Sequence, residues 1–359
     1  MHADASQVFR RWILASARAA HALCDDGGPG VGGVSPAPAY EPADHDMKSF
    51  ASSQLARAVF MVRPVAFAGN PDTASSNAFQ APTSVPVAET TRQAAAEFDA
   101  FVGALVRAGL EVHIGSDSPE PPKPDACFPN NWVSFHDDGT IVLYPLMARS
   151  RRFERRIELL RELVDSGQRR VTRIIDLSGW ERHGGYLEGT GSLVLDRRHR
   201  VAYACSSART SPGPLHDFAQ LLAYEPFQFD AFDAGGQPIY HTNVMMSIAS
   251  DFAVVCVDAL PSTRQREALR ARLEATGHEV LAIDQPQIRE FAGNMLALEA
   301  AGGTNVLVMS RRARASLKPR QLQFLEQRTQ LVCCDIPTIE HVGGGSVRCL
   351  LAENFLPRR

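Results

Sequence analysis

The chain has 359 residues, of which 45% are hydrophobic and 21% charged, and a formal net charge of -3. That composition is ordinary for a globular chain. The near-neutral balance gives no electrostatic case for nucleic acid or an anionic membrane as partner, and no apolar run reaches the roughly 18 residues of a membrane span. The seven cysteines are scattered and odd in number, with no CxxC pair and no Cys/His ligand cluster along the sequence. This pattern predicts a reducing, cytoplasmic setting with no structural zinc, no other metal and no cofactor.

Residues 1–50 read as an extension. Arg10-Arg11-Trp12-Ile13-Leu14 begins like a signal peptide, but Arg18 interrupts the apolar run too early. Residues 27–46 are rich in Gly, Pro, Ala and Asp and are predicted to be disordered, and Met47 offers an alternative start. One domain is predicted over residues 55–359. It opens with an apolar strand, Ala58-Val59-Phe60-Met61-Val62, then an amphipathic helix over 89–108 and a strand over 110–114. A hairpin over 132–144 turns at Asp137-Asp138-Gly139 and leads to a helix over 149–166 and a strand over 171–175. A hairpin over 192–205 precedes a helix over 214–223 and a strand over 227–229. A hairpin over 244–257 precedes a helix over 261–276 and a strand over 280–283. The last full unit is a hairpin over 295–309 turning at Gly302-Gly303, a helix over 313–327 and a strand over 331–334.

These units repeat with a period of about 53–57 residues, the signature of a repeat architecture. A fifth hairpin starts at Cys349-Leu350-Leu351 and runs out of chain; the strand at 58–62 is its predicted partner. Five units closed by a strand from the other end of the domain predict an α/β ring of β-rich blades with outer helices, which leaves no open sheet edge.

The loop before each hairpin carries a chemically capable residue: Asn131, Glu188, His241, Asn294 and Cys349, spaced 57, 53, 53 and 55 apart. In a ring, equivalent positions face one axis, so these five side chains are predicted to converge. Cys349 is then a nucleophile, His241 a proton carrier and Glu188 the group that orients imidazole or substrate. Taken singly, Cys349 reads as a buried small hydrophobe, His241 as a structural histidine and Glu188 as a turn residue; their shared register favours the catalytic reading. The run Gly343-Gly344-Gly345-Ser346-Val347-Arg348 before Cys349 lets backbone approach a ligand, and Arg348 would favour a thiolate if it pointed to the axis.

Several segments, in this order and spacing, resemble the amidinotransferase, or pentein, superfamily of guanidine-modifying enzymes, and most of all its citrulline-utilisation hydrolases. They are Met61-Val62-Arg63-Pro64, Phe128-Pro129-Asn130-Asn131-Trp132, Leu187-Glu188-Gly189-Thr190-Gly191, Ser207-Ala208-Arg209-Thr210, His241-Thr242-Asn243, Phe291-Ala292-Gly293-Asn294 and the glycine run ending at Cys349. The resemblance implies a five-bladed β/α propeller of ββαβ repeats, with Cys349, His241 and Glu188 as the catalytic set. It implies substrate-binding roles for Phe128, Asn130, Asn131, Asn243 and Asn294. Arg209 would grip the substrate α-carboxylate, and Arg149 would be a second arginine, with Arg152 as alternative and Arg151 on a solvated helix face. Arginine deiminases carry Asp where this chain has Asn131 and Asn243. Losing two charge-assisted contacts costs a cation about 1.5–3 kcal/mol each, whereas amides suit a neutral ureido group. The expected reaction is therefore hydrolysis of citrulline to ornithine, carbon dioxide and ammonia, with arginine or methylarginine deimination, or amidino transfer, as the alternative. A non-catalytic ring, such as the ribosome-associated anti-association factor, fits less well because Cys349, His241 and Glu188 are all present. The expected partner is a small ureido or guanidino amino acid, and a homodimer is the default assembly.

Overall fold

The computed structural model describes residues 53–165 and 168–359; the extension over 1–50 lies outside them. Among the described residues, fifteen strands form five separate three-stranded sheets of one design. Four are contiguous along the chain: β3(Val133–Phe135)-β4(Thr140–Leu143)-β5(Arg173–Asp176), β6(Val194–Asp196)-β7(Val201–Cys205)-β8(Glu225–Phe229), β9(Met246–Ile248)-β10(Phe252–Val255)-β11(Glu279–Ala282) and β12(Leu296–Glu299)-β13(Asn305–Ser310)-β14(Gln330–Cys334). In each, a hairpin pairs the first two strands antiparallel and a helical crossover brings the third in parallel. The fifth sheet joins both ends of the domain. There β1(Ala58–Arg63) pairs in parallel with β2(Glu111–Ser116) and antiparallel with β15(Ala352–Glu353), in the register Val59↔Glu353 and Phe60↔Ala352. The five small sheets are consistent with a propeller-like arrangement.

Burial follows the same order in every sheet. The first and middle strands of the hairpins are almost wholly buried, whereas the parallel third strand is partly exposed. First strands of neighbouring sheets meet: β15 with β3, β6 with β9, and β9 with β12. The helices cover the outside with one apolar stripe. In Val87–Arg107, Ala94, Phe98, Phe101 and Leu105 are buried at helical spacing. Among the described residues, no helix is long and apolar enough to cross a membrane.

Three local expectations are corrected. The helix over 313–327 is two helices, Arg311–Ser316 and Pro319–Glu326. Pro319 lacks an N–H and forces the preceding Lys318 to an extended ψ of 152°. The helix over 149–166 is a 3-10 turn, Ser150–Glu154, followed by a helix, Ile157–Asp165. The final strand is displaced because Val347–Leu350 is a 3-10 turn, so pairing begins at Ala352. The last two differences bear directly on the candidate site.

Candidate active site

Four of the five predicted loops end in a short helical turn just before the first strand of a sheet: Pro129–Asn131, Gly189–Ser192, Thr242–Val244 and Val347–Leu350. The turns touch in cyclic order. Pro129–Asn131 packs on both Gly189–Ser192 and Val347–Leu350, and Gly189–Ser192 packs on Thr242–Val244. Asn294 closes the circuit: its Nδ2 donates to the Asn243 carbonyl at 3.0 Å and its Oδ1 accepts from the Arg348 N–H at 3.0 Å. Two glycines permit this approach. Gly189 has φ +47°, and a Cβ there would lie 2.1 Å from the Asn130 carbonyl oxygen. A Cβ on Gly191 would lie 2.5 Å from Asn131 Nδ2 and 2.7 Å from His241 Nδ1.

Glu188 Oε2 lies 2.9 Å from His241 Nε2, and Glu188 Oε1 accepts from the Met147 N–H at 3.0 Å. Arg209 Nη1 and Arg151 Nη1 approach the same Oε2 at 3.3 and 3.5 Å. Burial alone would raise the Glu188 carboxyl, but Arg209, the His241 hydrogen bond and Arg151 outweigh it and hold the carboxyl well below the usual range. A carboxylate only accepts, so His241 carries its proton on Nε2 and leaves Nδ1 as the basic nitrogen. Burial, helped by the charges of Arg209 and Arg151, lowers the imidazole to about 4 against the opposing pull of Glu188. At neutral pH His241 is an uncharged base.

Cys349 is buried on the Val347–Leu350 turn, with its N–H bonded to the Ser346 carbonyl at 3.0 Å. Its Sγ lies 3.5 Å from Asn294 Nδ2 and 3.8 Å from Asn243 Nδ2. Burial raises the thiol above its ordinary value, although Ser346, Asn294, Arg348 and Asn243 all favour the thiolate. Arg348 is not aimed at the thiol. It donates to Glu353 Oε2 at 2.7 Å and to the Leu351 carbonyl at 2.8 Å, tying the turn to β15. Across the cleft that both line, burial thus favours a neutral thiol and a neutral imidazole at rest over a preformed thiolate.

A narrow cleft opens over these groups, and Cys349, His241, Asn131, Phe128, Arg209 and Arg151 line it. Arg209 donates from Nη2 to Ser76 Oγ at 2.7 Å and stacks 4.8 Å from the Tyr240 ring centroid, while its buried Nε has no partner. Arg149 is exposed and outside the cleft, and Arg152 is spent on the Leu146 carbonyl and Glu181. The inward arginine is Arg151, against the sequence expectation. In a 3-10 turn, residues i and i+3 share one face, so Arg151 and Glu154 turn inward together. Arg151 Nε and Nη2 bind both Glu154 oxygens at 3.0 and 2.9 Å, and Nη1 donates to Asn131 Oδ1 at 3.0 Å.

Asn243 and Asn294 flank the sulfur rather than the open cleft. Asn130 is buried away from the cleft, with both side-chain polar atoms unpartnered. Sequence reading missed Asp125, Glu154 and Tyr240. Asp125 sits 3.5 Å from Arg151 Nε, and Tyr240 donates from its hydroxyl to the Gly344 carbonyl at 2.9 Å. Burial, despite Arg151, raises Glu154 to about 8. The available signal was the i,i+3 spacing of Arg151 and Glu154, legible only once the 3-10 turn is known. Buried polar atoms without partners remain at the centre: Asn131 Nδ2, Asn243 Oδ1 and Arg209 Nε.

Among solved structures, a cysteine mutant of the N-terminal domain of ArgZ, an arginine dihydrolase of cyanobacteria, bound to substrate, superposes with a TM-score of 0.63 at 14% identity. The match covers 83% of this chain and 99% of that one. A cysteine mutant of AgrE in complex with L-arginine gives a TM-score of 0.64 at 17% identity, covering 84% of this chain and 40% of that one. A histidine mutant of dimethylarginine dimethylaminohydrolase, as an adduct with S-methyl-L-thiocitrulline, gives 0.56 at 12% identity, covering 85% and 100%. No curated protein matches the chain. Residues 63–356 match the family described as N,N dimethylarginine dimethylhydrolase, eukaryotic. The pentein resemblance and the α/β fold are both borne out. With a family match over most of its length, the chain belongs to the N,N dimethylarginine dimethylhydrolase family and is a hydrolase of C–N bonds other than peptide bonds.

Proposed function

We propose that the five sheets are blades of one β/α propeller and that the chain hydrolyses a ureido amino acid, with citrulline as the substrate. The observation that carries the substrate reading is the orientation of Asn131. Arg151 can only donate, so Asn131 must present Oδ1 to it at 3.0 Å. Nδ2 is left buried, unpartnered and at the cleft. A guanidinium offers only donors and cannot satisfy that N–H, whereas a ureido oxygen accepts from it. The unpartnered Asn243 Oδ1, on the side chain that flanks the Cys349 sulfur, is the acceptor for a ureido N–H once the ureido carbon is seated on that sulfur. Arg209, with Nε unpartnered, is the carboxylate-binding group.

In this reading Cys349 attacks the ureido carbon as its proton passes to His241 Nδ1, and the Asn294 and Asn243 amides stabilise developing charge on sulfur. Glu188 holds the imidazole and stabilises its charged form. The tetrahedral intermediate expels one nitrogen, protonated by His241, and leaves a thiocarbamate on Cys349. Water, deprotonated by His241, then cleaves the carbon–sulfur bond and regenerates the thiol, releasing a carbamate whose remaining C–N bond breaks as it loses carbon dioxide and frees the second nitrogen. The balance is citrulline plus water giving ornithine, carbon dioxide and ammonia. A homodimer acting in the cytoplasm completes the proposal, with sedimentation of the purified chain as the test of assembly.

A second reading, hydrolysis of arginine or a methylarginine, is favoured by the family match and by the arginine held in AgrE. Separate assays with citrulline, arginine and dimethylarginine decide between them. Ornithine formed from citrulline with the highest kcat/KM supports the ureido reading; higher turnover of either guanidino compound overturns it.

A further inference from the structure

We propose that Asp196, His199 and His278 form a binding site for one divalent transition-metal ion of the zinc class, remote from the catalytic cleft. Their ligand atoms all lie within 4.8 Å of one another. His199 Nδ1 is 2.9 Å from Asp196 Oδ2, and His278 Nδ1 is 3.8 Å from the same oxygen. Ligands held about 2.0–2.2 Å from a tetrahedral zinc lie roughly 3.3–3.6 Å apart, so the two distances to Asp196 need a shift of only a few tenths of an ångström, and a turn of the exposed His199 ring closes the remaining pair. Two imidazoles and one carboxylate suit zinc, nickel or copper and not calcium or magnesium, which take oxygen sets.

The fold builds this constellation from two sheets. Asp196 ends β6, and its Oδ1 already accepts the His199 N–H at 2.9 Å, which fixes the hairpin tip. His278 reaches the pair from the neighbouring sheet. It follows the left-handed Gly277 at the end of helix Thr263–Ala275 and precedes β11. Its N–H bonds the Leu273 carbonyl at 2.9 Å, and its ring meets that of His199 edge-on at 5.8 Å. Asp196 and His278 have side chains 0% and 1% exposed, whereas His199 is 34% exposed. Asp196 and His278 are thus held in place by burial, with His278 Nδ1 exchanging its Thr276 Oγ1 partner at 3.0 Å for the ion, and the exposed His199 leaves a path for the ion and room for water at a fourth position. The catalytic loops precede β6 and β9, so this cluster lies at the opposite ends of the strands. A bound ion would pin the β6–β7 hairpin to the start of β11 and so staple two sheets together.

The test uses the full chain carrying Cys349→Ser, so that the catalytic thiol cannot hold a second ion, with metal stripped by chelator and dialysed against zinc chloride. The expected result is one zinc per chain and, at a hundredfold excess over Kd, a Tm rise of roughly 5 °C. His199→Ala removes an exposed ligand without touching the core, and Asp196→Asn keeps the turn acceptor but not the charge. Each is expected to weaken zinc binding on the order of tenfold or more and to cut the Tm rise at that zinc concentration to about half or less, with an unchanged circular dichroism spectrum. Equal zinc uptake by the parent and both variants overturns the proposal. So does the absence of uptake at every zinc concentration at which the folded chain stays in solution.

Discussion

Replacing Asn131 by aspartate tests the ureido reading at one atom. Asn131 Oδ1 already faces Arg151 Nη1 at 3.0 Å, so the new carboxylate gains a cationic partner and remains charged despite 3% exposure. The atom that changes is the second one: the unpartnered Nδ2 donor becomes an anionic acceptor. A ureido oxygen then loses a hydrogen bond worth about 0.5–1.5 kcal/mol and meets a like-signed oxygen, whereas a guanidinium gains a charge-assisted bond worth about 1.5–3 kcal/mol. The sum, at least about 2 kcal/mol, predicts that the ratio of kcat/KM for citrulline to that for arginine falls by about thirtyfold or more. Steady-state assays of ornithine and citrulline formation on both substrates, with circular dichroism to confirm folding, measure it. A ratio unchanged within about threefold in a folded N131D protein refutes the reasoning.

The thiol and imidazole make further predictions. Cys349→Ala is expected to abolish turnover and remove the substrate-derived adduct seen by mass spectrometry of quenched wild type. Because burial raises the Cys349 thiol, iodoacetamide should alkylate it slowly at pH 7. The rate should rise roughly tenfold per pH unit to pH 9 and beyond; a plateau by pH 7 would reveal a preformed thiolate. With His241 lowered to about 4, kcat/KM should stay level down to about pH 5, and a midpoint near 6.5 contradicts the burial argument. The folded value lies below the unfolded one, so His241 contributes stability fully present above about pH 6.5 and lost as pH falls through 4, on the order of 3 kcal/mol. Urea melts at pH 7 and pH 4, compared with those of His241→Gln, isolate that share. Finally, Gly191→Ala places a methyl 2.5 Å from Asn131 Nδ2 and 2.7 Å from His241 Nδ1. Activity should fall more than about tenfold while Tm drops only a few degrees; full activity would mean these two atoms need not hold their positions.

Much of this molecule was determined by the sequence alone, because hydrophobic period and turn chemistry are local properties. The four contiguous hairpins and the strands that follow their helices appear where the pattern placed them, and 58–62 pairs with the chain end, although at Ala352–Glu353 rather than at Cys349. The shared register of Asn131, Glu188, His241, Asn294 and Cys349 was equally legible, since a repeat in the chain becomes a repeat in space. Only the tertiary structure decided where individual polar side chains point. Arg348, adjacent to Cys349 in sequence, turns to Glu353 because a 3-10 turn carries the thiol and the arginine to different sides. Arg151 displaces Arg149 because the segment tightens from an α-helix to a 3-10 turn and buries the Arg151–Glu154 pair. The thiol's protonation depends on burial and on Asn243 and Asn294 from two other loops, and desolvation by distant neighbours leaves no trace in a linear motif.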